Sequence, residues 1–206
     1  MTVVLSRNEY SNGQFTVTTL FGLKVIERLL PHRPPFLMVE SVVAYVGGDA
    51  PVLTAERSIR PSEPMFSGAE PPLCWPSAYV IEGLGQSCNL LSFIWTLERS
   101  FAAKGLDPES VCGALMGMEA NNGDYTTKLL SKFLEEGAMK TFSKIGLLAS
   151  VDVEVTGRVN AGDVLRYEVR RSHVLGALSR FTVRACVGER VVVHGAIVGA
   201  QLEGTA

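Results

Sequence analysis

The stretch from Ala78 to about Lys104 constrains this chain most. Ser77 is available as an N-cap, and Gly105-Leu106-Asp107-Pro108 supplies a stop, so the whole span reads as one long helix. Val80, Ile81, Leu84, Cys88, Leu91, Ile94 and Trp95 make it apolar on most sides. A helix that is apolar nearly all round sits in an interior, so the rest of the chain must wrap it. Gly83 and Gly85 each cost about 1 kcal/mol of helix propensity, which predicts that another backbone approaches closely there. Glu82 and Gln86 are four apart and share one face. A carboxylate on so apolar a helix must be solvated, paired or functional.

The flanking segments provide the wrapping. Gln14–Thr19 alternates weakly like a strand, and Gly22–Leu30 reads as a short helix that Pro31 stops. The run Pro31–Pro35 is rigid and irregular. Phe36–Val46 and Val52–Ile59 alternate as strands. After the long helix, residues 105–146 read as a second helical region, with Tyr125–Ile145 as its amphipathic part. Lys128, Lys132, Lys140 and Lys144 mark a solvated face there. The period then changes to two in Leu147–Val155, Val164–Arg171, Ser179–Val187 and Val191–Leu202. Two strands, a buried helix and an antiparallel meander predict an α+β fold, a sheet wrapped around one helix. At 206 residues this is one domain, 1–206, with the helices of 105–146 inserted in it.

Composition narrows the partners. With 47% apolar residues the chain is not disordered, and a net charge of −2 gives no global attraction to nucleic acid or to a membrane surface. No apolar run approaches a membrane span and the N-terminal stretch is too short for a signal peptide, so a cytoplasmic location is expected. Cys74, Cys88, Cys112 and Cys186 are scattered without metal-ligand spacing, which argues against a zinc site and a disulfide framework. Residues 60–77 contain Pro61, Pro64, Pro71, Pro72 and Pro76, a long stiffened loop of the kind that often carries function.

Three motifs make the chain resemble the β-hydroxyacyl-acyl-carrier-protein dehydratases of the FabZ-like hotdog-fold family. Leu30-Pro31-His32-Arg33-Pro34-Pro35-Phe36-Leu37-Met38-Val39-Glu40 is similar to the family's LPHRYPFLLVD. Pro76-Ser77-Ala78-Tyr79-Val80-Ile81-Glu82-Gly83-Leu84-Gly85-Gln86 is similar to its PGVLIIEALAQ helix start. Val159-Asn160-Ala161-Gly162-Asp163-Val164-Leu165 is similar to its VxPGDxL turn. The likeness spans about residues 22–100 and 147–202. It implies the hotdog fold, an acyl carrier protein with a 4'-phosphopantetheine-linked acyl chain as partner, a homodimer or a heterodimer with a dehydratase homologue, and no metal or redox cofactor.

Dehydrating a 3-hydroxyacyl thioester needs a base for the α-proton, an acid for the departing hydroxide and a backbone donor on the thioester carbonyl. In the resembled family a loop His is the base and a helix Glu from the other subunit acts on the hydroxyl. Glu82 matches that carboxylate, and its apolar setting suits an acid. The His is missing. Where the family reads G-H-F-P-G-x-P, this chain reads Gly68-Ala69-Glu70-Pro71-Pro72-Leu73, so the His position falls on Ala69 or Gly68. Ser77 likewise replaces the helix-leading Gly. The resemblance thus implies Glu82 and Gln86 as catalytic residues and His32, Gly68, Ala69, Pro76 and Ser77 as substrate-binding ones, with Glu70 the nearest substitute base in sequence.

Other candidates have plainer readings. His32 matches a family His that is not the catalytic one, which implies a hydrogen-bonded structural role; His173 is expected to be exposed and His194 to be core or interface. Cys74 has no identifiable base partner, and Asp163 is a turn former. The resemblance supports a dehydratase-like subunit in fatty-acid or polyketide assembly that shares its site with a His-bearing partner. The alternatives are a self-sufficient dehydratase or hydratase with an altered base, an acyl thioesterase, and a non-catalytic acyl-thioester-binding protein. Docking an acidic carrier needs a local basic patch, for which Arg33, Arg158, Arg166, Arg170, Arg171 and the lysines of 128–144 are candidates.

Overall fold

The computed structural model describes residues 19–135 and 146–201, together with three short N-terminal strands, β1 (Val3–Leu5), β2 (Glu9–Ser11) and β3 (Gln14–Thr16). Along the chain follow α1 (Leu23–Leu29), β4 (Ser41–Val46), β5 (Val52–Ser58), β6 (Cys74–Trp75), α2 (Ser77–Ala103), α3 (Ser110–Glu119), α4 (Tyr125–Phe133), β7 (Gly146–Val155), β8 (Val159–Asn160), β9 (Val164–Leu175), β10 (Leu178–Val187) and β11 (Arg190–Gln201). Seven strands form one antiparallel sheet in the order β1-β4-β5-β9-β10-β11-β7. The sheet curls around α2, which is the hotdog arrangement that the sequence predicts.

The sheet's inner face follows the alternation of its strands. Leu165, Tyr167, Val169 and Arg171 of β9 are buried, as are Leu53, Ala55 and Arg57 of β5. Val80, Leu84, Leu90, Leu91, Ile94 and Leu97 of α2 lie against this surface with almost no exposure, each burial contributing about 1.5–3 kcal/mol. The helix ends where its glycine requires. Gly105 takes φ +71, Leu106 N–H donates to Phe101 O at 3.0 Å, and Gly105 N–H donates to Ala102 O at 3.0 Å. That left-handed residue and its paired bonds satisfy the last carbonyls of α2.

Several expectations need correction. Ser77 is the first helical residue rather than the cap, a position that Pro76 holds without a side-chain bond. The strand expected over Phe36–Val46 begins only at Ser41, because Phe36 and Met38 bond to a helix side chain instead of a neighbouring strand. The described part of the region 105–146 contains two helices, broken where Asn121 adopts φ +56 and Asp124 caps α4 by accepting from Thr127 N–H at 2.7 Å. Residues 136–145, with Lys140 and Lys144, lie outside the described residues. The inserted helices are tied in by Glu119, whose Oε2 accepts Val25 N–H at the start of α1 at 3.2 Å.

Gly83 is required by a side chain, not by a backbone. A Cβ there would fall 2.3 Å from the Cζ and the hydroxyl of Tyr167. At Gly85 a Cβ would meet nothing within 4 Å, so no close approach accounts for that residue. The two glycines therefore respond oppositely to alanine. Gly85→Ala is expected to stabilise the helix by up to about 1 kcal/mol. Gly83→Ala is expected to destabilise by about 1–3 kcal/mol through overpacking, and Tyr167→Leu in the same chain should recover part of that loss. Urea unfolding midpoints of the single and double variants measure both.

Candidate active site

Gln86 organises the side of α2 that bears Glu82. It is 1% exposed, and all its polar atoms are engaged. Its Nε2 donates to Phe36 O at 2.8 Å and to Glu82 Oε1 at 2.9 Å, while its Oε1 accepts Met38 N–H at 2.8 Å. One amide thus substitutes for strand pairing over 36–38 and holds the Pro31–Pro35 segment beside the helix. That brings His32 to Glu82, with Nε2 3.6 Å from Oε1. The enclosure expected around Glu82 is absent in this chain: its side chain is 47% exposed, because it points away from the sheet.

A second cluster fixes the proline-rich loop. Arg57, buried on β5, donates through Nη1 to Leu37 O at 2.5 Å and through Nη2 to Glu63 Oε2 at 2.9 Å. Its guanidinium lies 5.0 Å from the centre of the Trp75 ring. Trp75 in turn stacks edge-on with Phe66 and Tyr79. The turn at 160–163 closes the other side. Asp163 Oδ2 accepts Asn160 N–H at 2.8 Å, β8 pairs with β6, and Gly162 N–H reaches Ile59 O at 2.7 Å. Asp163 is the turn former that its sequence setting suggests. Arg57 was not singled out from sequence; its only signal is an arginine at an inward position of an alternating strand.

Between these elements lies a cleft of about 240 Å3 at the start of α2. Cys74, Ser77, Val80, Val155, Arg158 and Val193 are among its lining residues. Pro76 precedes it at the helix cap. Val80 and Glu82 are two positions apart, about 200° around the helix, so the carboxylate is directed away from the cleft of its own chain. Gly68, Ala69 and Glu70 are exposed on the loop, and no contact joins Glu70 to Glu82 among the described residues. His173 is exposed, and His194 sits 3.7 Å from Glu154 at the β7–β11 end of the sheet, exposed rather than in the core.

The cysteines are all free, with Cys74 alone exposed; burial pushes the Cys112 thiol up to about 12 and the Cys88 thiol higher still. Beneath the helix, the Tyr167 hydroxyl is buried without a partner and burial raises its phenol above the ordinary range. Among the proposed docking arginines, Arg171 is 4% exposed and stacked 3.4 Å from the Trp95 ring centre, and Arg166 is paired with Glu56 at 2.8 Å. Arg171 is therefore withdrawn from the basic patch. Arg33, Arg158 and Arg170 remain exposed.

The sheet, its helix and a carboxylate presented from the second helical turn define a dehydratase-like hotdog protein. The 3-hydroxyacyl-(acyl-carrier-protein) dehydratase FabZ of Vibrio parahaemolyticus is 31% identical over 139 residues, 65% of this chain and 86% of the relative. The FabZ of Clostridioides difficile is 25% identical over 187 residues, 89% of this chain and 99% of the relative. The chain belongs to the FabZ dehydratase family. Among solved structures, the dehydratase heterocomplex ApeI:P from Xenorhabdus doucetiae shares the fold, with a TM-score of 0.51 over 86% of this chain and 91% of that one at 16% identity. No protein-family model matches the chain. No helix of the described residues is long and apolar enough to cross a membrane.

The Arg57–Glu63 pair is testable directly. Both side chains are nearly enclosed, at 8% and 12% exposure. Arg57→Met should cost about 3–5 kcal/mol, since it leaves the Glu63 carboxylate buried and unpaired. Glu63→Gln, which keeps an acceptor for Arg57, should cost less. Chemical unfolding of the two variants checks the order.

Proposed function

We propose that this chain is a subunit of a 3-hydroxyacyl-acyl-carrier-protein dehydratase in fatty-acid or polyketide assembly, and that it contributes Glu82 to a site which a His-bearing second subunit completes. The observation that carries the proposal is the direction of Glu82, away from its own chain's cleft and half open to the outside. A carboxylate so placed serves a substrate held by a neighbour. The exposed loop without a histidine is the complementary deficit. In this reading the whole chain is one hotdog domain carrying the 105–146 insertion.

A second subunit also has a place to dock. Among the described residues strand β7 pairs only with β11 and ends the sheet, with Leu148, Val151 and Val155 exposed along it. An open edge of that length with exposed aliphatic residues favours pairing with another chain. In this reading the thioester that Glu82 acts on lies in the second subunit's counterpart of the cleft at the head of α2. First-turn N–H groups of a helix have no intrahelical acceptor, so those at the start of the counterpart helix suit the thioester carbonyl as negative charge develops on it. Glu82 of one subunit then protonates the departing hydroxyl while the partner's histidine takes the α-proton.

Dehydration of a 3-hydroxyacyl thioester on acyl carrier protein tests this. The purified chain alone should give no turnover; mixed with a homologue from the same source that carries the G-H-F-P-G loop, it should turn over. Glu82→Gln in that mixture should lose about 100-fold or more in rate. Turnover by the chain alone would replace this reading with a self-sufficient enzyme, and thioester hydrolysis would make it a thioesterase. Thioester binding with no reaction in either preparation would leave an acyl-binding protein.

Carrier docking makes a separate claim. Arg158 is exposed and lines the cleft, so Arg158→Glu is expected to weaken carrier-protein binding about tenfold. Affinity unchanged in a titration calorimetry comparison would remove Arg158 from the docking surface.

A further inference from the structure

We propose that His32 is a positioning residue for Glu82: with Gln86 it holds one carboxylate oxygen, so that the other is presented to the substrate. This role rests on the reading of Glu82 as a dehydration acid. Both neighbours of Glu82 converge on Oε1, Gln86 Nε2 at 2.9 Å and His32 Nε2 at 3.6 Å. Oε2 has no partner among the described residues. The carboxylate is thus anchored through one oxygen and open at the other, the arrangement of a group that must meet a ligand in a single orientation.

The histidine itself is held. It lies between Pro31 and Pro34, and Arg33 Nη1 donates to Leu30 O at 2.8 Å and to His32 O at 2.7 Å. Leu30 on one side and Leu37 to Val39 on the other are fully buried, and Gln86 pins Phe36 and Met38. His32 is 30% exposed, and its Nδ1 is enclosed with no partner. With nothing to accept a proton from Nδ1, the proton of the neutral ring belongs on Nε2, the nitrogen that faces Glu82. A purely structural histidine would instead use its ring nitrogens to tie backbone together, and neither nitrogen does so here. The 3.6 Å separation is just beyond hydrogen-bond length, and such contacts often tighten once substrate is bound.

Two measurements test the role. Long-range 15N spectra of the imidazoles, taken on the purified chain, should show His32 protonated at Nε2 and bare at Nδ1, with that preference lost in Glu82→Gln. A wild-type ring protonated at Nδ1, or one indifferent to Glu82→Gln, overturns the pairing. In whichever preparation dehydrates, His32→Leu should lower kcat about tenfold or more with KM changed less than about twofold. His32→Gln, which offers an N–H near the same place, should recover much of the loss. Full kcat in His32→Leu, or no difference between the Leu and Gln variants, overturns the positioning role. If no preparation dehydrates, the reading of Glu82 falls and this role falls with it, while the spectra still decide the contact.

Discussion

A buried guanidinium holds the site together. Arg57 lies on the inner face of β5, where a charge is costly unless it is paired; its two terminal nitrogens and its planar face find partners, while its Nε is buried without one. The partners come from three separate parts of the chain: Leu37 O from the segment that carries His32, Glu63 from the proline-rich loop, and the ring of Trp75 from the strand that leads into α2. These are the segments that flank the head of the helix. Their mutual placement follows from satisfying one charge, and the proline-rich loop needs no regular structure of its own to stay in register.

The second constraint is steric. Tyr167 stands upright from β9 beneath the helix, and its hydroxyl reaches the space that a Cβ at position 83 would occupy. Gly83 therefore lets α2 settle onto the sheet over a large aromatic ring. Because Gly83 faces the sheet, its neighbour Glu82 is turned about 100° from it and emerges at the surface. The helix is apolar in order to be buried, and the depth and rotation set by one glycine determine which residue escapes. Gln86, one turn further on, then uses its full hydrogen-bonding capacity on Glu82 and on the backbone of 36–38.

This division explains what could be read without coordinates. The helix at 77–103, the late strands and the turn at 160–163 were legible because each is a periodic or turn-forming pattern with local causes. The shortened strand after Phe36 was not, since a strand pattern there loses its backbone partners to Gln86, a contact 48 residues away. The cause of Gly83 was mistaken for the same reason: sequence shows that room is needed, and only the fold shows Tyr167 filling it. The contact between Glu82 and Gln86 was evident from their spacing of four. The contact between His32 and Glu82 was not, because it depends on the segment 31–35 folding back across the helix.

The loop at 68–70 holds no histidine, and the two sides of the helix head differ in how firmly they are held. The carboxylate of Glu82 is turned away from its own chain's cleft and half open to the outside. The loop tip Gly68-Ala69-Glu70 is exposed, while the Glu82 side of α2 is held in a hydrogen-bond network. The Glu82 side is tied by Gln86 and by the backbone of the His32 segment, and the loop tip bears no comparable network. Hydrogen-bonded order is concentrated around the Glu82 carboxylate and not at the loop tip.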